Sequence, residues 1–246
     1  METNSWPGTL TALALLVACV LGCNKSGGDA PKPLTSTNQN SGNTSHTAPT
    51  TTPDIAGSYR VEGTNENGSP YRGELAVIKR GDVYQFRWNA GTQYDGVGVP
   101  NGNVVAVAFT PGSEGKGCGV VNYELVGDDT LDGKWGYWGV NESGTEKAVR
   151  TGGSGLPGNY DATGKNPDGS GYKATLAVAP LGGGYKFDWS NSASGFGVKQ
   201  GTNVSVGIGG ARCAFVAYQV QPDGNLEGIW GGYGGTKTGT EKATKK

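Results

Sequence analysis

Two glutamates, Glu146 and Glu241, stand in the same tetrapeptide, Gly-Thr-Glu-Lys, and are the best carboxylates in the chain for acid–base work. Glycoside hydrolysis needs two carboxyl groups facing one bond, and only one recurs in each copy of the motif. Each glutamate is therefore expected to bond a turn or its neighbour, Lys147 or Lys242. Cys118 and Cys213 also occupy matching places. A cysteine nucleophile needs a base, and the only histidine, His46, lies in a polar stretch far from both. Outside the cytoplasm two such cysteines could form a disulfide, whereas a pair inherited from one ancestor could remain buried thiols; free thiols are the expectation. No set of catalytic groups repeats, and no metal or cofactor site is implied.

What repeats is the frame that must position these residues. From Gly57 to Arg150, and again from Gly158 to the C-terminus, the chain runs Gly-x-Tyr, Asn-x-x-Gly-Ser-x-Tyr, Leu-Ala-Val, Tyr-x-Phe-x-Trp, Gly-x-Gly-Val, a Cys, Val-x-Tyr, Leu-x-Gly-x-Trp and Gly-Thr-Glu-Lys-Ala. Glycine supplies 46 of the 246 residues and punctuates short runs in which apolar and polar residues alternate, so helical stripes cannot be drawn. Turn signals such as Asn65-Glu66-Asn67-Gly68 and Asn166-Pro167-Asp168-Gly169 recur about every 8 to 12 residues. Eight strands are predicted in the first copy, among them 57–63, 71–78, 83–88 and 104–109, and the second copy repeats them. Eight short antiparallel strands hide their edges best by closing. The predicted fold is all-β: two tandem homologous antiparallel meander domains, each a small eight-stranded barrel, at 54–150 and 158–246 and joined by a connector at 151–157.

Tyr84, Phe86 and Trp88, like Tyr185, Phe187 and Trp189, share one strand face and are assigned to the barrel interiors, which leaves little room for a ligand. Beyond the shared core tryptophans, Tyr137, Trp138 and Tyr233 lie among glycines. They are the candidate ligand-binding residues, with a glycan or a protein as the ligand. The formal net charge of −1 argues against nucleic acid, because phosphate binding needs a concentrated basic face.

The N-terminus carries an address. Residues 10–21 form an apolar run of signal-peptide length, ending at Val20-Leu21-Gly22-Cys23, and residues 25–53 are Ser, Thr, Asn, Gly and Pro with hardly an aliphatic side chain. Val20 to Cys23 resembles the lipobox of bacterial lipoproteins, although Met1 to Trp6 holds Glu2 and no Lys or Arg. The resemblance implies a signal peptide at 1–22, acylation of Cys23, and a lipid-anchored tether at 23–53. Leu16 to Cys19 fits the same pattern, so Cys19 is the alternative. Asn24 after the modified cysteine resembles the class sorted to the outer membrane where a host has two membranes. The expected function is a membrane-anchored, extracytoplasmic, non-enzymatic binding or envelope-structural module. The alternatives are an envelope carbohydrate hydrolase or a carrier of a small apolar ligand inside the barrel.

Overall fold

The structure is a computed structural model that describes residues 53–246, so the signal-peptide and tether expectations, with Cys19, Cys23 and His46, lie outside the described residues. Sixteen strands follow one another: β1 (Gly57–Thr64), β2 (Pro70–Arg80), β3 (Val83–Asn89), β4 (Gln93–Asn101), β5 (Val104–Pro111), β6 (Gly119–Val126), β7 (Thr130–Tyr137), β8 (Gly144–Gly153), β9 (Gly158–Lys165), β10 (Gly171–Leu181), β11 (Gly184–Trp189), β12 (Ser194–Gln200), β13 (Asn203–Ile208), β14 (Ala214–Val220), β15 (Leu226–Gly231) and β16 (Gly239–Lys245). The four strand ranges named from the sequence fall on β1, β2, β3 and β5. Among the described residues no helix is long and apolar enough to cross a membrane.

The strands close into two eight-stranded antiparallel barrels, as the alternation and turn spacing predict. The barrels are not the repeats, however. Strands β6 to β13 form one barrel from a continuous stretch of chain, closed where Val121 pairs with Val206 and Gly119 with Ile208. The other consists of β1–β5 and β14–β16, closed by β5 against β14 and by β1 against β16. We call the discontinuous barrel A and the continuous one B. Each takes five strands from one copy and three from the other, so the expectation of one barrel per repeat gives way to an exchange. Duplication makes β6 and β14 equivalent partners for β5, and the repeat pattern alone cannot say which of them pairs.

Two crossovers carry the exchange, at 112–118 and 209–213, and Cys118 and Cys213 end them. The two cysteines form a disulfide with Cα atoms 5.8 Å apart, which corrects the expectation of free thiols. The bond closes a loop of 95 residues that contains the whole of barrel B. Disulfides typically contribute about 2–4 kcal/mol, and more as the closed loop lengthens. Gly209 lies at φ 128°, and a Cβ there would stand 2.3 Å from the Cys213 sulfur, so only glycine lets the second crossover reach the bond.

A seam between the barrels completes the packing. Val105 and Val107 point into barrel A with Phe86 and Tyr218, while their neighbours Ala106 and Ala108 point outward onto Val97, Val99, Val120 and the disulfide. On the other side, Phe196 and Val198 of barrel B meet Phe215 and Ala217 of barrel A. Strands β4, β5, β6, β13 and β14 are therefore largely buried on both faces. At its lower end each barrel is plugged by an aliphatic residue whose carbonyl accepts a tyrosine hydroxyl: Tyr59 to Ile55 and Tyr160 to Leu156, both at 2.6 Å.

Candidate functional site

At the opposite end each barrel opens into a cup, and the glutamates of Gly-Thr-Glu-Lys form the floor. Alternation along β8 and β16 turns Glu146 and Glu241 inward beside Ala148 and Ala243, leaving each glutamate only 4% and 6% exposed. In barrel A, Glu241 Oε1 accepts hydrogen bonds from Trp88 Nε1 at 2.9 Å and from the Tyr218 hydroxyl, and Oε2 accepts the Tyr71 hydroxyl at 2.7 Å. In barrel B, Glu146 Oε1 accepts from Trp189 Nε1 at 3.0 Å and from the Tyr123 hydroxyl, and Oε2 accepts the Tyr172 hydroxyl at 2.8 Å. Both quartets mix residues of the two repeats, so neither carboxylate would be satisfied without the strand exchange or an equivalent closure.

These contacts replace the expected ones to a turn or a neighbouring lysine; Lys242 instead pairs with Glu227 at 2.9 Å. A buried carboxylate tolerates loss of water only when donors surround it, and three do so here. The same burial acts on the phenols. Desolvation first, and the glutamate charge second, push Tyr71, Tyr218, Tyr172 and Tyr123 well above the usual tyrosine range. Burial also raises Tyr59 and Tyr84 to about 12, with Asp54 adding to both.

A group whose folded pKa is raised above an unfolded value near 10 contributes stability that is complete below pH 10 and disappears as pH climbs through the folded value. Alkaline titration is therefore expected to show tyrosinate absorbance and loss of β-type circular dichroism rising together, in one step between about pH 10 and 12. Smooth titration of every phenol near pH 10, with the fold intact, would contradict the burial of these quartets.

Above the floor, the walls of cup A are Tyr71, Trp88, Tyr94, Phe109 and Trp230, around a recess of about 180 Å³. Neighbouring rings meet steeply: Tyr71 and Trp230 at 73°, Tyr94 and Phe109 at 79°, and Phe109 and Trp230 at 73°. Cup B, about 340 Å³, has Trp135, Tyr137, Tyr172 and Trp189, with Ala193, Ile208, Asn166 and Asn191. Gly239 and Gly144 admit the paired tryptophans, since a Cβ at either would stand within 2.5 Å of the Trp230 or Trp135 indole. Those two indole N–H groups are buried beside the Tyr71 and Tyr172 hydroxyls, with no acceptor at full hydrogen-bond geometry.

The hairpin between β1 and β2 roofs cup A. Its Asn65 Nδ2 bonds Ser69 Oγ at 2.9 Å, and Glu66 Oε1 accepts the Gly232 N–H at 3.1 Å, tying the hairpin to the loop after β15. The matching hairpin of cup B has Asn166 bonded to Ser170 Oγ at 3.0 Å, and Pro167 stands in place of Glu66. Asp168 accepts from Ser170 N at 2.9 Å and serves as a turn residue.

The three ligand-binding candidates separate. Tyr137 lines cup B, edge-on to Trp135 at 76°. Trp138 packs half-buried against the seam cluster of Val83, Val97 and Cys118, and Tyr233 lies against Phe196 on the seam's other side. The structure thus brings no two of them to one surface. The sequence reading missed the cups because it treated the interior aromatics as filling the barrels end to end; the packed part reaches only the glutamate floor. Parity was the available signal, since Glu146 and Glu241 lie two residues from buried alanines on the inward face.

Among the described residues, no group of three or more His, Cys, Asp or Glu is placed to hold a metal ion. No family model, curated protein or solved structure matches the chain.

Proposed function

We propose that this chain is a lipid-anchored, extracytoplasmic binding protein of a bacterial cell envelope, non-enzymatic, with its ligand sites at the two barrel mouths. The observation that carries the reading is the pair of pseudo-equivalent cups, each walled by aromatic rings over a carboxylate already engaged by three donors. Recesses with apolar walls and a few fixed polar groups are the usual form of small-ligand sites. Both oxygens of each carboxylate already accept hydrogen bonds, from two phenols and an indole. Each cup wall also supplies a single carboxylate, whereas the hydrolase alternative needs two. Filling of both interiors below the floor by Phe86, Tyr218, Phe187 and Tyr123 favours ligands at the mouths over an apolar cargo inside.

Two experiments test the parts of this reading. For the anchor, Cys23→Ser is expected to abolish incorporation of labelled palmitate and shift the protein from the detergent to the aqueous phase; unchanged acylation would move the site to Cys19. For the cups, envelope glycans and small ligands are screened by tryptophan fluorescence. The expected result is a saturable shift that Trp230→Phe or Trp135→Phe removes. Binding that survives substitution in both mouths would place the site elsewhere.

A further inference from the structure

The geometry points to a ligand class for cup A: an organic ammonium group, quaternary or fully substituted, seated among the aromatic rings above Glu241. This inference rests on the reading of the mouths as binding sites and adds the chemistry of the occupant.

Sugars need donors and acceptors for their hydroxyls. In cup A most such groups are already spent: Glu241 accepts three hydrogen bonds, Tyr71 donates to it, and Asn65 Nδ2 is held by Ser69, so the Trp230 indole N–H and the Tyr94 hydroxyl are the polar groups left on the walls. A carboxylate has about four acceptor positions, so roughly one remains. A wholly apolar ligand would strip the last water from a carboxylate and return nothing to it. An anion would meet Glu241 at the floor. Glu66 and Arg212 both line the outer groove, which shares Asn65, Tyr94, Phe109 and Trp230 with the cup, so neither of these opposite charges stands at the floor.

A cation, by contrast, is attracted by both elements of the cup. Aromatic faces carry negative quadrupole charge, and rings set as walls at 73° to 79° surround a compact cation as a flat stack cannot. The carboxylate adds a full charge beneath them. A fully substituted nitrogen asks for no hydrogen bonds, which suits a site that has few to offer. Cup B lacks this closure: Ala193 and Ile208 occupy the positions of Tyr94 and Phe109, and Asn191 that of Ala90.

That difference supplies the test, because Tyr94→Ala with Phe109→Ile copies residues the sister barrel already accommodates. The full chain in detergent is titrated calorimetrically with choline, with its uncharged carbon isostere dimethylbutanol, and with a methyl glycoside. The expected result is one choline site per chain, with the isostere at least about tenfold weaker, and at least about tenfold loss in the double variant while its melting curve stays close to the parent's. Equal binding of choline and its isostere, or undiminished choline binding in the double variant, would overturn the ammonium assignment. If choline does not bind but the glycoside shifts the fluorescence in a Trp230-dependent way, the ammonium assignment fails and the mouth remains the site. Failure of both ligands to bind would overturn the ammonium assignment, and mouth-independent binding in the fluorescence screen would remove the wider reading as well.

Discussion

Glu241→Ala is expected to unfold barrel A or to destabilise it by about 3–5 kcal/mol, a large share of what holds a domain of this size. The substitution removes the acceptor of Trp88 Nε1 and of the Tyr71 and Tyr218 hydroxyls, and leaves two buried donors and one half-buried donor unsatisfied. Each such orphan costs about 1–3 kcal/mol, and the shared cavity makes the costs less than additive. Glu241→Gln retains one carbonyl acceptor and should fall between parent and alanine variant. Glu146→Ala should do the same to barrel B through Tyr123, Tyr172 and Trp189. Denaturant melts followed by tryptophan emission measure this directly. A Glu241→Ala protein as stable as the parent would mean that the floor is wet and the quartet is not a structural element.

The second large effect concerns chain cutting. Residues 119–208 carry β6 to β13 with every native strand pair of barrel B, and their ends meet in the pair Gly119 with Ile208. Expressed alone, this segment is expected to give a β-type circular dichroism spectrum and one cooperative melt. It should also self-associate, because Val120, Phe196 and Val198 lose their cover at the seam. A single repeat is different: 54–150 keeps β1–β5 without β14–β16, and β6–β8 without β9–β13. To fold it must pair β5 with β6 and turn 112–118 into a hairpin. A disordered 119–208 segment, beside a native full chain, would show that barrel B depends on its neighbour.

The strands, their antiparallel order and the eight-strand count were legible because alternation and turn glycines are local properties of the chain. The inward set of Tyr84, Phe86, Trp88, Tyr185, Phe187 and Trp189 was legible from parity, and all are buried except the half-buried Tyr185. The exchange was not, since pairing of β5 with β14 or with β6 joins nearly the same residue types. Its trace lay in Val104-Val105-Ala106-Val107-Ala108, a run that does not alternate and so belongs to a strand covered on both faces. Reading the cysteines as inherited thiols followed from treating the repeats as closed units; once the crossovers run side by side, their ends meet. Trp138 and Tyr233 look exposed among glycines for the same reason, because the surface that covers them belongs to the seam. The cups were hidden by size: aromatics that fill a barrel and aromatics that wall its mouth have the same period.

The exchange turns on which strand lies beside β5. The structure pairs Ala106 with Ala217 across β5 and β14, and Ser205 with Asn122 across β13 and β6. Proton NMR of the labelled chain is expected to show inter-strand backbone contacts for those two pairs. Contacts of Ala106 with Asn122 and of Ser205 with Ala217 in their place would mean that each repeat closes on itself, and would contradict the exchange.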